Sequence, residues 1–256
     1  IPRPVDSDWT AALLDSIDDN TAIVAVSNCH WTDGTLIDLE KIGERCRAKG
    51  CALVVDGIQS LGAMPFSIER VQPDFLVTAA HKWLLGPYSF GFCYVNSKWH
   101  QGTGLEENWM NRAESEDFSR LVDYRDTYQK GARRFDMGES SNFILSPIAA
   151  AALRQILAWG VENIAETLQA KTDVIAERAE QIGLVVAPRH VRAPHLIGIS
   201  KPGGFGKELP NLLARENVYV SVRGESIRIA PHLYTAEKDI DRLFSALQKA
   251  IRTSRN

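Results

Sequence analysis

Cysteine is scarce in this chain of 256 residues, and the four present form no framework. Cys29, Cys46, Cys51 and Cys93 show no CxxC spacing, and all precede residue 94. Neither a disulfide scaffold nor a zinc ribbon is expected, and a reduced, cytoplasmic protein is the simplest reading. The six histidines (His30, His81, His100, His190, His195 and His232) lack ligand spacing. They read as surface or core side chains, and no metal is expected. A charge excess is missing too: 29 Lys and Arg face 32 Asp and Glu, a formal net charge of -3. Nothing there drives binding to nucleic acid or to a membrane surface. No apolar run approaches the ~18 residues that a membrane span needs. The opening IPRPVDSDW has neither the cationic start nor the apolar core of a signal peptide, and no initiator Met. The chain is therefore expected to begin downstream of the translation start.

Short apolar runs are plentiful. TAIVAVS (21–27), CALVVD (51–56), DFLVTAA (74–80) and FGFCYV (90–95) have the length and continuity of strands covered on both faces. Between the first two, Leu39, Ile42 and Cys46 recur at helical spacing and Gly50 is placed to end the helix. Strand, helix, strand in this order predicts a right-handed parallel crossover. Residues 97–145 read as loop with pieces of helix. Two helices follow, separated at Gly160. Then come strands near 184–187, 195–200, 218–222 and 226–230, with a helix near 206–216. A last helix starts near 236, with Thr235 as its cap and Ile240, Leu243, Phe244, Leu247 and Ile251 on one face. The expectation is α/β, with a large unit over 1–160 and a small C-terminal α/β unit over 161–256.

Chemistry-bearing residues gather at the carboxyl ends of these strands, where open parallel sheets bind ligands. Asp56 closes CALVVD, Gln59 follows three residues later, and Lys82 follows DFLVTAAH. Alone, Asp56 reads equally as a partnered structural carboxylate or a functional one, Gln59 as a turn amide and Lys82 as a solvated lysine. Together, a lysine and an acid at neighbouring strand ends suit pyridoxal 5'-phosphate. The lysine holds the cofactor aldehyde as a Schiff base, and the acid keeps the pyridine nitrogen protonated so that the ring accepts electrons. Such a lysine must lose a proton that ordinarily stays on to about pH 10.4, which burial or a nearby cation favours.

The stretch VSNCHWTDGTLIDLEKIGERCRAKGCALVVDGIQSLGAMPFSIERVQPDFLVTAAHKWLLGP resembles the central region of the class V aminotransferase family. The resemblance rests on D-x-x-Q, the 26 residues from Asp56 to Lys82, HK followed by GP, and the ending SIRIAPHLYTAEKDIDRL. It implies fold type I, a three-layer, mostly parallel sheet here represented in part, and pyridoxal 5'-phosphate as cofactor. It also implies Lys82 as the Schiff-base lysine, Asp56 as the pyridinium partner, Gln59 on the ring hydroxyl oxygen and His81 near the phosphate. Arg228 is implied as the residue that binds the substrate α-carboxylate, with Arg223 a weaker candidate. A homodimer is implied as well, in which RRFDMGESSNF (133–143) takes the place of the loop that crosses to the partner's phosphate. Glu139 there replaces the family's threonine, so Ser140 or Ser141 is left to supply the hydroxyl.

The pattern departs from the family in two further ways. Ala79 stands where many relatives carry the serine of S-x-H-K, so that one phosphate contact is either absent or replaced by Thr78. The phosphate-cradling region that precedes this point in whole members has no counterpart, and PGGFGKEL (202–209) reads as a turn into a helix rather than a P-loop. The chain is thus expected to be a fragment or truncated product. Cysteine desulfurases need a nucleophilic cysteine in or near the small unit, and SVRGESIRIA has none. The expected activity is that of an aminotransferase acting on a small-molecule amino acid. A class V epimerase or carbon–sulfur lyase is the alternative within the family, and a non-enzymatic truncated protein of the same fold the alternative outside it.

Overall fold

The computed structural model describes residues 1–4 and 6–253. Helix α1 (Trp9–Ser16) leads into β1 (Ile23–Ser27), α2 (Leu39–Lys49), β2 (Ala52–Asp56), α3 (Ile68–Val71), β3 (Phe75–Ala79) and β4 (Gly91–Val95). The strands lie in that order; β1, β2 and β3 run parallel, and β4 returns antiparallel to β3. Helix α2 begins where the Asp38 carboxylate accepts the Lys41 N–H. It ends at Gly50, whose φ of 71° lets the chain turn left-handed and return its N–H to the last turn.

One sheet face carries Val24, Leu53, Val55 and Leu76. It packs against Leu13 and Ile17, then Leu39, Ile42 and Cys46 of α2, then Val71 of α3. Residues one step along each strand point the other way. There the expectation of two covered faces needs correcting: Ile23 is 63% exposed, Val77 is 38% exposed, and Ala25 and Cys93 are exposed too. The helices pack on the first face, so an uninterrupted apolar run does not here mean burial on both.

Residues 97–135 form four short 3₁₀ turns joined by loops. Phe75 of β3 meets Trp99 and Phe135 from this segment. Helix α4 (Leu145–Trp159) and helix α5 (Val161–Gln181) meet at Gly160, as the sequence suggests. The remainder is β5 (Val185–Val186), β6 (Ile197–Ser200), α6 (Leu209–Arg215), β7 (Ser221–Arg223), β8 (Ser226–Ile229) and α7 (Glu237–Thr253). These strands form a second sheet, ordered β5-β6-β8-β7 and antiparallel throughout. Its core joins Ile197, Ile199 and Ile227 to Leu213 of α6 and to Leu243, Phe244 and Leu247 of α7.

Two local expectations fail. Thr235 does not cap α7; its hydroxyl accepts the His232 N–H, while Asp239 reaches back to the Ala236 N–H. The run 218–222 is strand only from Ser221, because Val218 and Val220 pack into the core without joining the ladder.

Helix α5 belongs to both cores. Ile164 and Leu168 pack with Ile156 of α4 and Leu84 beside the first sheet, whereas Ile175, Ala176 and Ala179 pack under the second. Leu168 is fully buried. Leu168→Ala is expected to cost about 2–5 kcal/mol, read as a lower midpoint in urea unfolding with an unchanged slope.

Candidate active site

The parallel register sets Ser27, Asp56 and Val77 side by side at the carboxyl edge of the first sheet. A cleft of about 530 Å³ opens over this edge, lined by Ala25, Val54, Val77, Trp31, Asp56, Ile58, Gln59 and Lys82 among others. Three of the sequence-derived candidates thus share one cavity. Asp56 turns the chain there: its Oδ1 accepts the Ile58 N–H at 2.9 Å, and the Gly57 N–H reaches the Val77 carbonyl at 2.8 Å. That short turn carries Gln59 to the cleft.

Lys82 is set by a tight excursion beyond β3. The Leu85 N–H closes on the Lys82 carbonyl, and the Gly86 N–H on that of Ala80. The next carbonyl, that of Trp83, lies so close to Gly62 that an added Cβ would sit 2.5 Å from it, and Gly62 has φ +93°. A side chain at position 62 would push the lysine loop outward. The Lys82 pKa is lowered, first by burial and then by the Arg228 guanidinium, against the opposing pull of Asp56. Both lowering causes favour the neutral, nucleophilic amine.

Arg228 reaches this neighbourhood from β8. It donates from Nη1 to the Trp31 carbonyl at 2.9 Å, and its guanidinium is felt at Lys82. His81 is not among the lining residues; its ring stacks on Tyr88 with centroids 4.3 Å apart. Thr78 does not face the cleft. It is buried one step from Val77 on the opposite face, and its hydroxyl donates to the Ala79 carbonyl. Ser140 and Ser141 line a different hollow with Trp109, Phe118 and Arg133. Glu139 is exposed, and the Gly138 N–H donates to Glu106.

Two residues stand out that the sequence reading passed over. Trp31 forms part of the cleft wall. It lies in a loop pinned to the second unit by bonds from Leu36 N–H to the Val191 carbonyl, Ala193 N–H to that of Gly34, and Gly198 N–H to that of Asp33. An aromatic just beyond a strand's carboxyl end was the available signal. His195 is fully buried. Its Nε2 bonds to the Gln59 carbonyl at 2.5 Å and its ring meets the edge of Trp83. A carbonyl only accepts, so Nε2 carries a proton, and burial, which lowers the pKa, favours the neutral ring. Nδ1 has no partner among the described residues. His195 therefore ties the second unit to both arms of the cleft, one beside Gln59 and one beside Lys82.

A lysine and a carboxylate lining one cleft at the carboxyl edge of a parallel sheet place the molecule among the α/β proteins that use pyridoxal 5'-phosphate. The chain belongs to the class V aminotransferase family, whose model matches residues 4–254. It is similar to the uncharacterized aminotransferase YcbU of Bacillus subtilis (strain 168), 29% identical over 91% of this chain and 64% of the relative. It is also similar to the isopenicillin N epimerase of Streptomyces clavuligerus, 27% identical over 93% of this chain and 62% of the relative. In fold it matches the apo cysteine desulfurase of Thermococcus onnurineus NA1, with a TM-score of 0.77 at 18% identity over 96% of this chain and 63% of that one. The chain thus spans under two thirds of the length of each.

The cleft's donor set fits the cofactor's ring and aldehyde. Ala25, Val54 and Val77 offer apolar surface, Asp56 an anion, Lys82 an amine, and Gln59 a side-chain amide beside a backbone already tied down. Of hydroxyl side chains, the cleft lining includes Ser27.

Burial holds the His195 pKa down to about 4 from an ordinary 6.5. Protonation then favours the unfolded chain, so its contribution is intact above pH 6.5 and is lost as pH falls toward 4. Chemical unfolding at a series of pH values should show this loss in the wild type and a shallower one in His195→Gln. For Lys82, Arg228→Gln removes a cation that lowers its pKa. The pH midpoint for capture of an added aldehyde at Lys82 should then move upward.

Proposed function

We propose that this chain is the cofactor- and substrate-binding part of a pyridoxal 5'-phosphate-dependent enzyme that transaminates an amino acid. The observation that carries this reading is the convergence of Lys82, Asp56 and Gln59 on one cleft, with Arg228 lowering the Lys82 pKa. The cofactor, when bound, supplies a ring that accepts the electrons released at the substrate α-carbon. Lys82 would hold the cofactor through its aldehyde, and its amine is the group that would move the substrate α-proton as a general base. Asp56 would keep a proton at the ring nitrogen, and Gln59 would donate to the ring hydroxyl oxygen. His81, stacked on Tyr88 outside the cleft lining, would serve the phosphate end on the strength of the family resemblance. Arg228 binds the α-carboxylate, for which its planar fork is suited.

Cysteine chemistry is the less supported branch. Cys29, the nearest thiol to the cleft loops, is buried beside the Gln59 carbonyl, and burial pushes its pKa up to about 12. A thiol held that firmly protonated is a poor nucleophile. Cys46 and Cys51 are buried under α2, and Cys93 lies on β4. Epimerisation is the second reading. The likeness to isopenicillin N epimerase supports it, and it begins with the same proton transfer.

The division into units 1–160 and 161–256, a homodimeric assembly and a cytoplasmic location belong to this proposal. The exposure of Phe118, Tyr124 and Phe143 supports the second of these. The four free cysteines are in keeping with the third. Among the described residues no helix is long and apolar enough to cross a membrane.

The purified protein incubated with cofactor should turn yellow, and borohydride should fix one cofactor to the peptide containing Lys82. Lys82→Ala should abolish that label, and Asp56→Ala should lower turnover by orders of magnitude while Lys82 is still labelled. A protein that stays colourless and takes up no cofactor would instead be the non-enzymatic alternative. A product screen with α-keto acid acceptors separates transamination from epimerisation.

A further inference from the structure

Pairing within the β7–β8 hairpin sets Ser221 opposite Arg228 and Arg223 opposite Ser226. Arg223 and Arg228 therefore share one face, while Ile227 and Ile229 of β8 point into the core. Both arginines meet the same wall of the cleft. Arg228 donates to the Trp31 carbonyl at 2.9 Å, and the Arg223 guanidinium lies 5.9 Å from the centre of the Trp31 ring. Trp31 itself lines the cleft beside Asp56 and Lys82.

Among the described residues neither guanidinium forms an ion pair. Their hydrogen bonds go to carbonyls: Arg228 to Trp31, and Arg223 to its neighbour Val222 at 3.0 Å. Elsewhere in the second unit Arg178 holds Asp241, and Arg189 and Arg192 share Asp173. Glu225, in the turn between the two strands, is exposed and pairs with neither. The two cations also act on each other: with burial, Arg223 lowers the Arg228 pKa, and Arg228 in turn lowers that of Lys82. Holding two guanidiniums together without a counter-ion is unfavourable, and a ligand that brings two negative charges offsets that cost. A monocarboxylate brings one negative charge to the two cations and leaves half of that charge uncompensated.

We propose that Arg228 and Arg223 form a two-point anion site flanking Trp31, and that the substrate is a dicarboxylic amino acid, its α-carboxylate on Arg228 and its side-chain carboxylate on Arg223. The assignment of the α-carboxylate rests on the functional reading above. Arg223 then selects the substrate class, and Trp31 spaces the two anions.

The test uses unreactive probes and calorimetry, so it does not depend on turnover. Glutarate and butyrate are titrated into the purified protein, with and without added pyridoxal 5'-phosphate. Glutarate is expected to bind about tenfold tighter than butyrate or better. Arg223→Gln should bring glutarate down to the level of butyrate and leave butyrate unchanged, which also shows that the variant is folded. Arg223→Lys should restore part of the preference, and Arg228→Gln should weaken both probes. Equal binding of the two probes by the wild type overturns the proposal, as does a glutarate preference that survives Arg223→Gln. Failure of the enzyme reading looks different. A protein that never becomes labelled at Lys82 but keeps an Arg223-dependent glutarate preference still has the anion site, without the proposed chemistry.

Discussion

Everything at the cleft depends on the in-register parallel pairing of β1, β2 and β3. Because the three strands point the same way, their carboxyl ends arrive together, with Ser27, Asp56 and Val77 abreast. The loops that leave those ends are then forced into one neighbourhood, although they are far apart in sequence: Trp31 after β1, Gln59 after β2, Lys82 after β3. A one-residue slip of β2 would turn Asp56 to the helix-covered face, where an unpaired carboxylate is costly. The apolar face of Leu53 and Val55 against α2 resists that slip. Core packing on one side of the sheet therefore fixes the chemistry on the other.

The second unit adds what the sheet alone lacks. Backbone bonds between residues 33–36 and 191–198 stitch the Trp31 loop to it. His195 reaches the Gln59 carbonyl from the same segment, and β8 brings Arg228 within electrostatic reach of Lys82. The cationic wall and the amine thus come from different sheets, and buried hydrogen bonds, the His195 imidazole and the shared helix α5 set their relative placement. Arg223 acts on Arg228 and Arg228 on Lys82, with Asp56 the acid in the cleft lining. Such a balance stabilises the neutral lysine and attracts anions at once.

Much of this could be read from residue order. The four strands of the first sheet, the α2 face of Leu39, Ile42 and Cys46, the Gly50 stop and the face of α7 all follow from local pattern, and the structure contains them. Asp56, Gln59 and Lys82 were visible because strand ends in an α/β order are predictable places. What escaped depends on distant partners. Continuous hydrophobicity could not say that Ile23 and Val77 would lie open, since burial of the far face depends on what packs there. Thr235 loses its capping role to a turn at His232, and Val218 and Val220 are apolar enough for a strand yet lack a neighbour to pair with. His195 and Trp31 gain their importance only through contacts made across the chain.

The double membership of α5 has a mechanical consequence. Its first half, at Ile164 and Leu168, is locked beside the Lys82 loop, and its second half, at Ile175 and Ala179, is locked beneath the sheet that carries both arginines. No flexible linker separates the two anchor points; the residues between them are helical, and Thr172 there is buried and bonded to the Pro194 carbonyl. One continuous helix is thus shared by the two hydrophobic cores, so a change in the packing of either core is felt along the same backbone.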